Sequence, residues 1–178
     1  MSLVPAVLAS GLPALCQADV MSSGPTGFIV KIETPVAAAP AEVYSRFLQI
    51  GQWWSDEHTY SSKAANMTLE NTPGGCFCEL LPGGGFVRHA QVELSMPGQL
   101  IRLSGALGPL QEMGAYGLMD FRFHADGAKN KTRLELTYTV SGYQPGKGLG
   151  EIAAAVDGVM TEQMQRLKHL VETGKPAG

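Results

Sequence analysis

The side chains able to do chemistry fall in four places. Cys76 and Cys78 stand two apart, and with His58 or His89 they offer the donor types of a metal site. Zinc sites, however, space paired thiolates with two to four residues between them and need four ligands. Here the spacing is shorter and the remaining ligands are unassigned, so we expect no metal and no cofactor, and read the cysteines as small buried hydrophobes. Trp53, Trp54, His58 and Tyr60 form an aromatic cluster of the kind that grips apolar ligands at little entropic cost, or that plugs a core. Arg88 is a guanidinium fork able to hold a ligand carboxylate; an ion pair with Glu79 or a strand-end position would equally account for it. Tyr138 brings a hydroxyl that needs a partner, whether ligand, backbone carbonyl or water.

The elements that must position these groups follow from periodicity. Residues 28–34 read as a first strand, and Pro40 opens a helix with Val43, Phe47 and Ile50 at helical spacing, stopped by Gly51. After the aromatic segment an extended pattern resumes at 66–72. A meander follows, with strands at 76–81, 86–96, 100–107, 113–125 and 133–142, separated by Gly- and Pro-rich turns. A final helix over 149–173 carries a stripe of Leu149, Ile152, Val156, Val159, Met160, Met164, Leu167 and Leu170, and Gly174 ends it.

Strand alternation assigns faces. Leu134, Leu136, Tyr138 and Val140 share one face of the last strand, and Met119, Phe121 and Phe123 one face of the strand before it. In 86–96, alternation puts Arg88 with Ala90, Val92 and Leu94, opposite His89, Gln91 and Glu93. The fold class is therefore α+β: a curved antiparallel sheet of about six to seven strands around one long C-terminal helix. A long helix on a bent sheet cannot touch it everywhere, so a cavity between them is expected. Met160 and Met164 on the helix are candidate lining, or plain core.

At 178 residues, 44% hydrophobic and 16% charged, the chain has the size and composition of one globular domain. A net charge of −3, with the 13 Lys and Arg dispersed, provides no basic stripe for nucleic acid. The Gly-rich stretches at 83–85 and 146–148 lack phosphate-loop order. Residues 1–18 carry no charge and are mostly apolar. They are too short for a membrane span and end in small residues, as a cleaved export signal would, yet they lack a basic start. An apolar arm packed on the domain is the alternative. The expected division is thus 1–24 signal or arm, 25–174 domain and 175–178 tail, with a periplasmic or secreted location, or a cytoplasmic one if no export occurs. Alternate residues on a regular strand lie too far apart for an unstrained disulfide, so Cys76 and Cys78 are predicted to be free thiols.

The order strand, helix, meander, long helix resembles the START-like helix-grip superfamily (SRPBCC) over about 28–173. Particular points resemble its polyketide cyclase and heat-shock ATPase activator-like branch, and within it an uncharacterised exported subgroup. They are the run from Pro35 through Pro40 to Tyr44, the pair Trp53 and Trp54, and Gly74, Gly75, Cys76, Phe77 before a strand. The resemblance implies a deep apolar pocket, which carriers, receptors, cyclases and co-chaperones of this superfamily share, so it does not choose among them.

We expect a binding or transport protein, a monomer or homodimer, for a small apolar or amphipathic molecule. Trp53, Trp54, His58, Tyr60, Arg88, Met119, Tyr138, Met160 and Met164 are its candidate ligand contacts. A cyclase or dehydratase is the alternative, with His58, Glu79 or Tyr138 moving a proton. His58 is the plausible base in the aromatic cluster, but no nucleophile or carboxylate can be placed beside it from sequence, so binding is favoured over catalysis. A chaperone-activator-like interaction module ranks last.

Overall fold

Turn-forming Gly and Pro residues divide the chain into strands β1 (Gln17–Gly24), β2 (Gly27–Val36), β3 (Met67–Leu69), β4 (Cys76–Leu80), β5 (Phe86–Met96), β6 (Leu100–Ser104), β7 (Tyr116–Ala125) and β8 (Thr132–Ser141). Helices α1 (Pro40–Phe47), the single turn α2 (Pro109–Glu112) and α3 (Ala153–Thr173) complete the fold. The computed structural model describes residues 17–127, 130–144, 146 and 148–177. The uncharged opening run up to residue 16, on which the export reading mostly rests, lies outside the described residues.

The strands form one antiparallel sheet in the order β1-β2-β8-β7-β6-β5-β4-β3. It has eight strands rather than six to seven. The additional one is β1, which folds back on β2 through a two-residue turn and pairs from Gln17↔Glu33 to Gly24↔Gly27. Its composition of Gln, Asp, Ser and Gly hides it from a search for apolar alternation, because an edge strand needs little apolar surface.

Elsewhere alternation is realised as read. Leu134, Leu136, Tyr138 and Val140 of β8, with Met119, Phe121 and Phe123 of β7, are buried. The opposite face carries ion pairs, among them Arg102 to Asp120 at 2.6 Å and Lys31 to Glu135 at 3.1 Å. Helix α1 begins at Pro40 and buries Val43, Tyr44 and Phe47 against this sheet. Helix α3 follows a 3-10 turn at Leu149–Ile152. It stops where Gly174 adopts a left-handed conformation (φ 72°) and donates its N–H to the Leu170 carbonyl, the ordinary glycine C-terminus.

Strand β5 departs from alternation twice. Phe77 pairs with Ala90 but Cys78 with Arg88, leaving His89 as an extra residue. Val92 pairs with Leu103 but Leu94 with Arg102, leaving Glu93 extra. Each bulge bends the strand and reverses which side chains face inward. Ala90 and Val92 stay buried, but Leu94 is turned out and Arg88 is exposed, while His89 is buried. Arg88 is thus no cavity cation and makes no ion pair with Glu79; its main-chain carbonyl accepts a hydrogen bond from Gln111.

The first bulge also accompanies a second correction. Cys76 and Cys78 are joined in a disulfide, not free, with their Cα atoms 5.3 Å apart. That separation is within the range a disulfide bridges and is shorter than the roughly 6.6 Å that two residues of a regular strand span, the spacing on which the free-thiol expectation rested.

Candidate functional site

The two ends of α3 meet the sheet differently. Toward its C-terminus Met164, Leu167 and Leu170 are fully buried. Phe47 and Trp53 pack there with rings 5.6 Å apart, and Phe47 also meets Phe121 at 4.6 Å. Trp53 Nε1 donates to the Phe47 carbonyl, and the Trp53 carbonyl accepts from Arg166 of α3. Trp53 is therefore a core plug, and Met119 and Met164 are core residues; none of the three lines the cavity.

Toward the N-terminus the space under α3 stays open. A cavity of about 520 Å³ lies there, bounded on the helix side by Ile152, Val156, Val159 and Met160. Trp54, His58 and Tyr60 form a second wall, and Leu107, Leu110 and Met113 a third. Strands β5 and β8 contribute His89 and Tyr138. Of the sequence candidates the structure thus brings together Trp54, His58, Tyr60, Tyr138 and Met160.

The third wall is not visible in the periodicity. Strands read as running to 107 and from 113 end instead at Ser104 and begin at Tyr116. The intervening chain leaves the sheet through Gly108 (φ 52°), where Pro109 starts α2. Gly117 makes room beside it: a Cβ there would lie 2.4 Å from Cε2 of Tyr138. The Tyr138 ring reaches across, so that its hydroxyl accepts the Leu107 N–H at 3.3 Å and donates toward the Gly105 carbonyl at 3.5 Å.

Behind the aromatic wall lies a buried carboxylate, Glu79, one of the proton movers the sequence offered, paired with His89, which alternation had put on the opposite face. Glu79 has no exposed side-chain surface and His89 only 4%. Glu79 Oε2 sits 2.9 Å from His89 Nε2 and accepts the Tyr60 N–H at 3.1 Å, while Oε1 accepts the Ser61 N–H. Burial pushes the Glu79 carboxyl up, but these hydrogen bonds outweigh it and hold the group below its ordinary range. Burial pushes the His89 imidazole down, and the charge of Glu79 offsets that only in part. The pair at neutral pH is then a carboxylate and a neutral imidazole whose Nε2–H donates to it. The ring is held by Phe77 at 5.0 Å and Tyr60 at 6.0 Å.

Burial, and then the charges of Glu112 and Glu79, raise the Tyr60 phenol; burial raises that of Tyr138 further still, so both are neutral hydroxyls. His58 lies at the rim, with Nε2 3.2 Å from Glu162 and its carbonyl accepting from Trp54 Nε1. Among the described residues no group of three or more His, Cys, Asp or Glu is placed to hold a metal ion, and no helix is long and apolar enough to cross a membrane.

Solved structures with this fold share little sequence with it. A conserved protein of unknown function from Enterococcus faecalis (EF2215) is 12% identical, with a TM-score of 0.58 over 87% of this chain and 77% of its own. CalU16 from Micromonospora echinospora is 16% identical, with a TM-score of 0.54 over 92% and 84%. An uncharacterised protein from Rhizobium leguminosarum is 16% identical, with a TM-score of 0.56 over 89% and 99%. No curated protein matches. The sequence profile described as "Polyketide cyclase / dehydrase and lipid transport" matches residues 28–172, from the second strand almost to the end of α3, and so the chain belongs to that family and through it to the START-like helix-grip superfamily.

Proposed function

We infer that this protein binds a small hydrophobic molecule in the cavity under the N-terminal half of α3. The observation that carries this reading is the cavity itself: about 520 Å³, within the size range of small-molecule sites and walled mainly by carbon with few polar groups. Trp54, Tyr60, Tyr138 and Met160 are the contacts the ligand would meet. The Cys76–Cys78 disulfide fits an oxidising compartment and, with the uncharged opening run, supports export to the periplasm or medium.

The test is titration with the neutral fluorophore N-phenyl-1-naphthylamine. Wild-type protein is expected to bind it with saturable enhancement. Val156→Trp, which fills the cavity from the helix side, is expected to lose at least tenfold in affinity, whereas Ala154→Trp on the exposed side of the same turn is expected to bind as wild type. Equal binding by both variants would move the site elsewhere.

A second reading, an enzyme of cyclase type, is favoured by one observation: an ionised Glu79 hydrogen-bonded to a neutral His89 at the cavity wall is an arrangement able to accept a proton.

A further inference from the structure

The polar groups around the cavity are unevenly committed. Its side-chain donors are occupied. Trp54 Nε1 donates to the His58 carbonyl, Thr59 Oγ1 to the Asp56 carbonyl and Tyr60 Oη to the Gly108 carbonyl. Tyr138 Oη donates toward the Gly105 carbonyl, His89 Nε2 faces Glu79, and His58 Nε2 faces Glu162.

The Glu57 and Glu112 carboxylates and Nδ1 of His58 are acceptors on exposed or half-buried side chains; on a buried side chain one further acceptor is left over. Nδ1 of His89 makes no hydrogen bond among the described residues. The His89 side chain is buried, with 4% of its surface exposed, and borders the cavity. With the ring's proton on Nε2 and held by Glu79, Nδ1 presents a lone pair, and His89 is a cavity wall residue.

The charges around the cavity point the same way. No Lys or Arg is among the described lining residues, Glu57 and Glu112 are, and the Arg88 side chain is exposed, outside the lining. A ligand carboxylate would find no free side-chain donor and would face like charge.

We propose that the Glu79–His89 pair is the polar anchor of this cavity, and that it selects a neutral apolar ligand bearing a hydroxyl, such as a phenol, whose O–H donates to Nδ1 of His89. Glu79 acts through His89, fixing its tautomer and ring orientation. The inference rests on the cavity being the binding site and adds to that reading the chemistry of the ligand's polar end.

Three probes of the same naphthalene skeleton test it by calorimetric titration: 1-naphthol, 1-methoxynaphthalene and 1-naphthoate. The ether keeps the oxygen and the bulk but cannot donate. Wild-type protein is expected to bind the naphthol about five- to tenfold more tightly than the ether, the worth of one ordinary hydrogen bond, and the naphthoate more weakly than either. His89→Phe is expected to abolish the naphthol's advantage while still binding the ether. Equal affinities for naphthol and ether in the wild type, or tighter binding of the naphthoate, would overturn the proposal while leaving the cavity a binding site. Failure of all three probes to bind would remove the cavity reading, and the proposal with it. The naphthol–ether comparison uses unmodified protein and so decides the question even if the variant does not fold.

Discussion

The two ends of α3 lie on one sheet, and yet one end is filled and the other hollow. At the C-terminal end α1 and the following turn deliver Phe47 and Trp53 into the gap, where the two rings pack together and Phe47 meets Phe121 and Phe123 of β7. At the N-terminal end the chain after β6 leaves the sheet, and with the single turn α2 it makes a wall instead of a plug. Ile152, Val156 and Val159 are accordingly less buried, while Met164, Leu167 and Leu170 are closed off completely. A single apolar stripe thus serves two purposes, and what separates them is whether a neighbouring element supplies bulk.

The sharpest way to break this contrast is to unplug the filled end. Trp53→Ala removes a buried indole, its bond to the Phe47 carbonyl and its packing on Phe47, and is expected to cost about 3–5 kcal/mol. Val156→Ala at the hollow end is expected to cost less than about 1 kcal/mol, because the residue already borders open space. Urea denaturation of the two variants measures the difference, and equal losses would mean that the cavity end carries as much packing as the plug.

An intermediate effect is expected from Glu79→Ala. It leaves the Tyr60 and Ser61 N–H groups and His89 Nε2 without their acceptor, at about 2–3 kcal/mol for the set. Because the Tyr60 segment is a cavity wall, affinity for a neutral probe is expected to fall as well. Unchanged stability in the same denaturation assay would show that water replaces the carboxylate at no cost.

The smallest effect is a pH dependence confined to the hollow end. His89 binds its proton less readily folded than unfolded, so as pH drops below about 6.5 the unfolded chain takes up the additional proton first and stability falls. Glu79, held below its usual range, contributes stability of the same sign, but it is lost only at lower pH, below about 4.3 where an unfolded Glu begins to protonate. Thermal melts of wild type and His89→Phe between pH 7.5 and 5 are expected to converge on acidification. Parallel curves would show that His89 titrates alike in both states.

Much of this was legible in the chain. The α3 stripe and its Gly174 stop and the inward faces of β7 and β8 follow local rules of periodicity and capping, which act within a few residues. Arg88 and His89 exchanged faces because one extra residue in a strand inverts a period of two, and neither Gly nor Pro marks the spot. The Cys76–Cys78 link escaped because its Cα separation of 5.3 Å is shorter than the roughly 6.6 Å of two regular-strand residues, a contraction that residue types do not announce. The wall around Leu107 and Leu110 was hidden because apolar residues there read equally well as strand.

By itself, then, the sequence determined the order of the main elements from β2 onward, the inward faces of β7 and β8 and the long closing helix, because each is encoded by the repeat of apolar residues along a short stretch. The tertiary structure alone decided which end of that helix stays hollow and that a buried Glu79–His89 pair, not Arg88, stands at its wall. Both depend on where bulges and loops bring residues distant in the chain together, and a local pattern carries no information about that.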